Sequence, residues 1–408
     1  MADFHQNGNI TTLHNLRTRE LHDLEYELTT YAQTRRISLI LPSLYSELEG
    51  TALPHILEEL SHVPYLHRII IGLDRADETE YRHARKFFDR LPQTHNVIWN
   101  DSPRMQALDA RLTRHGLAPQ EQGKGKNVWS SIGYLIACAD SAVLALHDCD
   151  ILTYEREMLA RLVYPVANPS FPYQMSKGYY PRIGGDKLNG RVTRLLVSPI
   201  LIALKKVIGD RDYIDYLRSF RYPLSGEFAM RTPILPDLRI PSDWGLEIGT
   251  LSEAWRNLAP KSVCQVEISD AYDHKHQDLS PEDASKGLSR MSTDICKAIF
   301  RKLAADGTVF TPNVFRTLKA TYYRTALDLL DSYANDATMN GLSFDRHREE
   351  KSIELFAENI ISAGQVFLDN PHETPFIPTW HRVHAADPSF LADLRTAVSE
   401  DEAEFDPA

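Results

Sequence analysis

Short apolar runs alternate with segments of helical periodicity through the first third of the chain, and this alternation limits the possible folds more than any other feature. The runs fall at residues 37–42, 68–73, 97–99 and 142–146. Strands separated by helices of ~10–15 residues pair in parallel, because each helix carries the chain back to the edge where the previous strand began. We therefore predict an α/β domain with a mostly parallel, doubly wound sheet.

The last of these runs is followed by two acidic residues one position apart, Asp148 and Asp150. Open α/β sheets bind ligands at the edge where the carboxyl ends of their strands lie. Side chains at i and i+2 of an extended chain point to the same side, so both carboxylates can serve one hard divalent cation. Acidic pairs also occur in turns and helix caps, and the pair alone leaves both interpretations open.

Polar residues stand at the ends of the other predicted strands too. Glu47 and Asp74 follow the first two strands, and Lys124 precedes the helix that leads into the last one. Loops at the carboxyl edge of a parallel sheet form one crevice, so we expect these residues to converge with Asp148. For Asp74 and the nearby Asp77, a helix cap is an equally good explanation, since aspartate favours helix starts.

Two loops have the composition of anion-binding sites. In the Gly-Lys-Gly segment at 123–125, glycines flank a lysine just before a helix, which offers backbone N–H groups and an ammonium to a phosphate. No Walker A spacing is present, and this favours a nucleotide sugar over a hydrolysed triphosphate. Gly190, Arg191 and Thr193 stand at a second helix start and suit a phosphate or carboxylate, although an ordinary surface loop fits that pattern equally well.

An acid and two histidines in the next part of the chain also suggest chemistry. Glu247 lies in an otherwise apolar stretch, where a carboxylate has to be paired or functional. His274 and His276 follow a predicted strand at 262–268, and either imidazole can complete a metal site with Asp150. Hard oxygen ligands without a cysteine cluster favour Mg²⁺ or Mn²⁺ over zinc.

Composition excludes several classes of protein. Lys and Arg number 45 against 56 Asp and Glu, for a net charge of −11, and no basic block suggests a nucleic-acid surface. The four cysteines form no C-x-x-C pair, so we expect no disulfide framework and a cytoplasmic location. No apolar run approaches ~18 residues and no signal-peptide core is present, so we expect neither a membrane span nor an export signal.

In their order, the motifs resemble those of the glucosyl-3-phosphoglycerate synthase family. They are Leu-Pro-x-Leu-x-x-Glu at 41–47, Gly-Lys-Gly at 123–125, Leu-x-Asp-x-Asp at 146–150, Gly-Arg-Val-Thr-Arg-Leu at 190–195, Ser-Gly-Glu at 225–227, Gly-Leu-Glu-Ile-Gly at 245–249, and Gln-Val-x-Ile with His-Lys-His between 265 and 276. The resemblance covers about residues 36–280 and rests on the order of the motifs rather than on any single one.

The resemblance implies the A-type nucleotide-sugar glycosyltransferase fold, Rossmann-like and mostly parallel, with a helical C-terminal extension. It implies a retaining, metal-dependent transfer of glucose from an NDP-glucose, with UDP-glucose favoured, to 3-phosphoglycerate. This reaction would be the first step of glucosylglycerate synthesis, and a homodimer is the expected assembly.

The resemblance also assigns roles by position. The metal-binding residues would be Asp150 and His274. The residues that bind donor or acceptor would be Pro42, Leu44, Glu47, Asp74, Lys124, Asp148, Gly190, Arg191, Val192, Thr193 and His276. The catalytic residues would be Glu247, Asp148 and Lys124.

Other activities stay open at this point. Where the family often has Asp-Ser-Gly-Ser-Thr-Asp, this chain has Gly-Leu-Asp-Arg-Ala-Asp at 72–77, and a related branch transfers mannose from GDP-mannose. A sugar nucleotidylyltransferase would use a similar sheet and metal, but would be expected to have a glycine-rich basic loop at 42–47. A sugar-nucleotide binding protein without turnover is a third hypothesis.

The remaining segments complete the predicted organisation. We expect an N-terminal helix within residues 1–35, a catalytic domain at 36–285 and a helical extension at 286–386, which we expect to pack on the catalytic domain. Residues 387–408 are rich in acids and are predicted to form a partly disordered tail.

Overall fold

The computed structural model describes residues 6, 8–119, 123–274, 287–371 and 377–405. Its strands are β1 (Thr11–Leu13), β2 (Ile37–Leu44), β3 (Leu66–Asp74), β4 (His95–Trp99), β5 (Val143–Leu146), β6 (Met175–Tyr179), β7 (Ile183–Gly184), β8 (Lys187–Leu188), β9 (Phe228–Arg231) and β10 (Val263–Glu267). Its α-helices are α1 (Leu21–Ala32), α2 (Ala52–Ser61), α3 (Glu78–Phe88), α4 (Pro103–Arg114), α5 (Lys124–Cys138), α6 (Arg156–Ala167), α7 (Ser198–Ile208), α8 (Asp212–Ser219), α9 (Leu246–Asn257), α10 (Gly287–Ala305), α11 (Pro312–Met339), α12 (Arg346–Asp369), α13 (Trp380–Ala386) and α14 (Phe390–Glu404).

Eight of the strands form one sheet in the order β1-β10-β6-β9-β5-β2-β3-β4, and β7 and β8 form a separate hairpin. Strand β9 pairs antiparallel with both of its neighbours, β5 and β6, whereas the other pairings in the large sheet are parallel. The predicted mostly parallel α/β sheet with a helical C-terminal region is therefore confirmed.

The central strands are apolar on both faces because helices cover the sheet on both sides. In β2, Leu39 and Leu41 belong to one buried core and Ile40 to the other. In β3, Ile69 lies in the core of Leu39 and Ile70 in the core of Ile40, and all five side chains are fully buried. Side chains alternate across a strand, so a near-continuous apolar run supplies both layers at once.

Two short strands of the large sheet lack a local sequence signal. The N-terminal helix begins at Leu21, and Thr11–Leu13 before it forms the edge strand β1, which pairs in parallel with β10. Phe228 begins the other, the antiparallel strand β9. Both strands are too short to produce a recognisable alternation in the sequence.

The C-terminal tail was predicted to be partly disordered, and this was wrong for residues 390–404. They form α14, whose apolar side chains Phe390, Leu394 and Val398 are buried. Arg104 of α4 pairs with three acids of this helix, Glu400, Asp401 and Glu404. The acidic run thus has a cationic partner elsewhere in the fold, so its charge does not prevent packing.

The C-terminal region packs as helices, as predicted. Helices α10, α11 and α12 share a core that includes Phe300, Phe315 and Phe367. The predicted boundary between the catalytic domain and the helical extension, at 285/286, lies outside the described residues. Among the residues that the structure describes, none of the helices has the length and apolar character needed to cross a membrane.

Candidate active site

The predicted donor-binding residues lie at the edge of the sheet where β2, β3 and β5 end. Strands β2 and β3 are in register, so Pro42 lies opposite Gly72 and Leu44 opposite Asp74. Strand β5 adjoins the other side of β2 and leads directly into the segment that carries Asp148. Loops from three adjacent parallel strands therefore open at one edge, which is where open α/β sheets bind ligands.

Lys124 contacts both of the other predicted catalytic residues at this edge. Lys124 lies at the start of α5, and its Nζ is 2.6 Å from Oδ1 of Asp148 and 3.1 Å from Oε1 of Glu247. Glu247 stands in the first turn of α9. Two helix N-termini and one strand end thus bring a cation and two carboxylates to the same point.

The charges of this cluster stabilise one another. Burial would lower the pKa of Lys124, but the carboxylates of Asp148 and Glu247 outweigh that effect and raise it above its ordinary value. Burial would raise the pKa of Asp148, but the ammonium of Lys124 outweighs burial and lowers it. Both groups are consequently charged at neutral pH.

Asp150 and His274 form the part of the site suited to a divalent cation. His274 forms a β-bridge with the residue after Asp150, and its Nδ1 lies 3.8 Å from Oδ1 of Asp150. Burial raises the pKa of Asp150 to about 7, and the carboxylates of Asp148 and Glu47 add to the effect. A half-buried carboxylate beside other carboxylates and an imidazole offers a donor set that a hard cation would satisfy.

The number of protein ligands fits Mg²⁺ or Mn²⁺. Within the described parts of the chain, no group of three or more His, Cys, Asp or Glu side chains forms a metal cluster. Mg²⁺ commonly binds through one or two carboxylates and takes its remaining ligands from water and phosphate oxygens. Asp150 and His274 therefore fit a cation held jointly by protein and ligand. His276, the second predicted histidine, lies outside the described residues.

Asp74 and Asp77 have different roles, although the same cap was considered for both. Asp77 is the N-cap of α3 and forms a capping box there, so the cap explanation is confirmed for it. Asp74 accepts a hydrogen bond from Nδ2 of Asn100 at 2.8 Å. Burial raises the pKa of Asp74 to about 6, with hydrogen bonds from Asn127 and Asn100 acting in the opposite direction. Asp74 therefore belongs to a polar cluster with Asn100 and Asn127.

The predicted acceptor residues form a tight turn at a helix start. Gly190 has a φ of +72°, a conformation that residues with a side chain rarely adopt. Val192 and Thr193 are buried, and the backbone continues as a π-helical turn, Thr193–Val197, into α7. Such turns are frequent at functional sites.

Arginines surround this turn. Arg182 packs its side-chain stem against Gly190 and donates a hydrogen bond from Nη1 to the hydroxyl of Tyr222 at 3.1 Å. Arg191 points toward the C-terminal helices, where its Nε lies 3.2 Å from Oε1 of Glu349. Guanidinium groups next to backbone N–H groups suit an anionic ligand.

Glu227, to which the sequence reasoning gave no role, is a buried acid that binds two tyrosine hydroxyls. It is 0% exposed, and its carboxylate accepts hydrogen bonds from the hydroxyls of Tyr180 at 2.5 Å and Tyr272 at 2.8 Å. The preceding Gly226 has no space for a side chain, because a Cβ there would collide with the carboxylate of Asp148. The acid of the Ser-Gly-Glu motif was the available signal for this residue.

The chain is similar along its whole length to two known proteins. The glucosyl-3-phosphoglycerate synthase of Persephonella marina is 45% identical over 401 residues, which cover 98% of this chain and 99% of that protein. The glucosyl-3-phosphoglycerate synthase of Methanococcoides burtonii is 35% identical over 408 residues, with 99% of each chain covered. No protein-family model matches the chain.

Solved structures of lower identity share the fold. Glucosyl-3-phosphoglycerate synthase from Mycobacterium tuberculosis, in complex with Mn²⁺, UDP and phosphoglyceric acid, superposes with a TM-score of 0.53 at 22% identity, covering 74% of this chain and 88% of that one. Mannosyl-3-phosphoglycerate synthase from Rubrobacter xylanophilus gives 0.54 at 16% identity, with 74% and 83% covered. From its near full-length similarity to the two synthases, this chain is a glycosyltransferase and belongs to the glucosyl-3-phosphoglycerate synthase family.

Proposed function

We propose that this protein transfers glucose from UDP-glucose to 3-phosphoglycerate with retention of anomeric configuration, as the first step of glucosylglycerate synthesis. The observation that carries the proposal is the contact of Lys124 with both Asp148 and Glu247, in a chain of this family. A relative from Mycobacterium tuberculosis has been solved with Mn²⁺, UDP-glucose and phosphoglyceric acid, which supports the choice of substrates.

The donor would bind along the ends of β2, β3 and β5. Pro42, Leu44, Glu47 and Asp74 would contact the nucleoside, and the half-buried carboxyl of Asp74 suits an N–H group of the base. Asp150 and His274 would hold Mg²⁺ or Mn²⁺, which when bound neutralises charge on the diphosphate leaving group.

The acceptor would bind at residues 190–193. 3-Phosphoglycerate carries a phosphate and a carboxylate, and backbone N–H groups at a helix start bind such anions. The Arg191 guanidinium can bind either group in a bidentate manner. His276, two residues beyond His274 in the sequence, is the further proposed substrate-binding residue.

Lys124, Asp148 and Glu247 would act where donor and acceptor meet. The Glu247 carboxylate, held by Lys124, suits hydroxyl groups of the glucose or the acceptor. Lys124 keeps Asp148 ionised next to the donor. Holding both substrates in one orientation replaces an encounter between two molecules with a reaction between positioned groups, which can account for a large part of an enzymatic rate.

We also propose that the protein works as a cytoplasmic homodimer. The absence of a disulfide framework among the four cysteines supports a reducing compartment. Light scattering on the purified protein tests the assembly, and a monomer at micromolar concentration would contradict it.

A donor panel tests the proposed reaction. The protein is incubated with Mg²⁺ and UDP-glucose, GDP-glucose, ADP-glucose or GDP-mannose, with and without 3-phosphoglycerate, and nucleoside diphosphate release is measured. We expect release from UDP-glucose that depends on the acceptor. Preference for GDP-mannose would assign the mannosyl activity instead, and no release from any donor would exclude the transferase proposal.

The metal assignment has its own test. Asp150→Ala should abolish metal-dependent turnover, because it removes a proposed carboxylate ligand, and should leave the thermal unfolding midpoint within a few degrees of wild type. Mn²⁺ binding in the presence of UDP should weaken in parallel. It is measured from the electron paramagnetic resonance signal of free Mn²⁺. Retained activity would mean that the cation is held elsewhere.

A further inference from the structure

We propose that the C-terminal helices take part in acceptor binding through one residue, Glu349 of α12, which positions Arg191 in the acceptor turn. This inference rests on the proposed function of residues 190–193 as the phosphoglycerate site. Glu349 is a positioning residue in this account, since it acts through an arginine and does not itself contact the substrate.

The central observation is a carboxylate that bridges two guanidinium groups. Oε1 of Glu349 lies 3.2 Å from Nε of Arg191, and its Oε2 lies 2.9 Å from Nη2 of Arg194. The side chains of Glu349 and Arg194 are each 9% exposed, and that of Arg191 is 21% exposed. A pair this well shielded from water holds its geometry far better than a surface ion pair.

Arg194 connects this bridge to the backbone of the acceptor turn. Its Nε donates to the carbonyl of Asn189 at 2.8 Å, and its Nη2 donates to the carbonyl of Leu188 at 3.0 Å. Its guanidinium also stacks on Tyr333 of α11, 5.1 Å from the ring centroid. The residues just before Gly190 are therefore held by an arginine that α11 and α12 keep in place.

The connection between α11 and α12 provides a second attachment. The backbone N–H and the hydroxyl of Ser343 both donate to the carbonyl of Asp186, at 2.8 Å and 3.0 Å. Asp186 lies in the turn between β7 and β8, which leads into the acceptor turn. The C-terminal helices thus contact the loop near both of its ends.

The charge balance of the bridge favours an anionic ligand. Two guanidinium groups share one carboxylate, so the cluster keeps a net positive charge next to the turn. Glu349 contacts Arg191 at Nε, and the Nη1–Nη2 edge, which can pair with a phosphate or carboxylate, is not part of that contact. An arginine fixed at Nε presents this edge in a set direction, which reduces the entropy lost when the acceptor binds.

The test is a change of acceptor affinity without a change of donor affinity. Glu349→Gln keeps the side-chain volume but removes the charge and replaces one acceptor oxygen by a donor. We expect the KM for 3-phosphoglycerate to rise about tenfold and the KM for UDP-glucose to stay within about twofold. The matched control is Glu350→Gln on the next residue of α12, whose carboxylate pairs with the exposed Arg346 at 2.8 Å, and it should change neither KM.

A double mutant separates positioning from a general structural effect. Because Glu349 acts through Arg191, adding Glu349→Gln to Arg191→Ala should raise the acceptor KM by much less than it does in the wild type. A purely structural role would lower the active fraction and leave the acceptor KM unchanged. If Glu349→Gln does not fold, Glu349→Asp, which keeps the charge but has a shorter reach, gives the same comparison.

The outcomes for this inference and for the proposed function are distinguishable. Absence of acceptor-dependent UDP release by the wild-type protein would refute the proposed function. Normal wild-type turnover with an unchanged acceptor KM in Glu349→Gln, or full multiplication of the two single effects in the double mutant, would overturn only the role of Glu349.

Discussion

Replacing Lys124 by methionine should destabilise the protein and almost abolish its activity. The substitution keeps the length of the side chain and removes the cation between Asp148 and Glu247. At an effective dielectric constant of about 20, a charge at 2.6 Å is attracted by about 6 kcal/mol and one at 3.1 Å by about 5 kcal/mol. These attractions are largely offset in the wild-type protein by the cost of removing the three groups from water.

The expected net effect is smaller than the sum of the attractions. Breaking a buried ion pair on one side costs about 3–5 kcal/mol, since the remaining charge is left without its partner. The Lys124 side chain is 31% exposed, so water partly screens the carboxylates after the change. We therefore expect Lys124→Met to lose about 2–3 kcal/mol of unfolding free energy and at least about 100-fold in kcat/KM.

The assay is urea unfolding of wild type and variant across pH. The pKa of Asp148 is lowered in the folded state, so the stability from its pair with Lys124 is present above the ordinary carboxyl range and is lost as pH falls through the folded value. The difference in unfolding free energy between wild type and Lys124→Met should consequently be constant near pH 7 and become smaller below about pH 4.

Lys205→Met provides the matched control. Lys205 also has two carboxylate partners, Asp215 at 2.7 Å and Asp210 at 3.0 Å, and its side chain is 33% exposed. Its partners are themselves exposed, in contrast to Asp148, so we expect a much smaller loss of stability and normal activity. Equal stability losses for the two variants, or near-normal turnover in Lys124→Met, would refute the reasoning about the cluster.

Two further predictions concern the ends of β9 and β3. Gly226→Ala should lower kcat at least about tenfold while the protein stays folded, because the added Cβ would displace the carboxylate of Asp148. Steady-state kinetics test this, with thermal unfolding as the control for folding. An unchanged kcat would contradict the prediction. Burial raises the pKa of Asp74 from 3.8 to about 6, so the folded state binds a proton at this carboxyl more tightly than the unfolded state does. The free energy of unfolding therefore falls by up to about 3 kcal/mol as pH rises through that range. Urea unfolding of Asp74→Asn should lack this decrease. The same pH dependence of unfolding free energy in wild type and variant would contradict the raised pKa of Asp74.

The sheet was predictable because its strands have a strong local signal. The run at 37–42 is apolar apart from Ser38, whose buried hydroxyl pairs with that of Ser141, and the acids that follow Leu146 mark the end of β5. The convergence of Lys124 with Asp148 also followed, since parallel strands bring their carboxyl ends to one edge. Local pattern and topology together were sufficient to predict that Lys124 and Asp148 meet.

The remaining features depend on contacts between residues distant in sequence. Glu349 reaches Arg191 across 158 positions, and no local pattern in α12 distinguishes it from its half-exposed neighbour Glu350. The tail was predicted to be partly disordered because it is rich in acids, and Arg104, which pairs with it, lies 297 positions from Asp401. Long-range charge pairing of this kind has no signature in the sequence of either segment alone.

The most direct test of the proposed reaction is the configuration of its product. UDP-glucose and 3-phosphoglycerate are incubated with the protein and Mg²⁺, and the new anomeric proton is observed by NMR spectroscopy. The account predicts acceptor-dependent UDP release together with an α-linked glucosyl-3-phosphoglycerate, because the donor is an α-glucoside and the transfer is proposed to retain its configuration. A β-linked product would contradict retention, and the absence of any glucosylated phosphoglycerate would contradict the account as a whole.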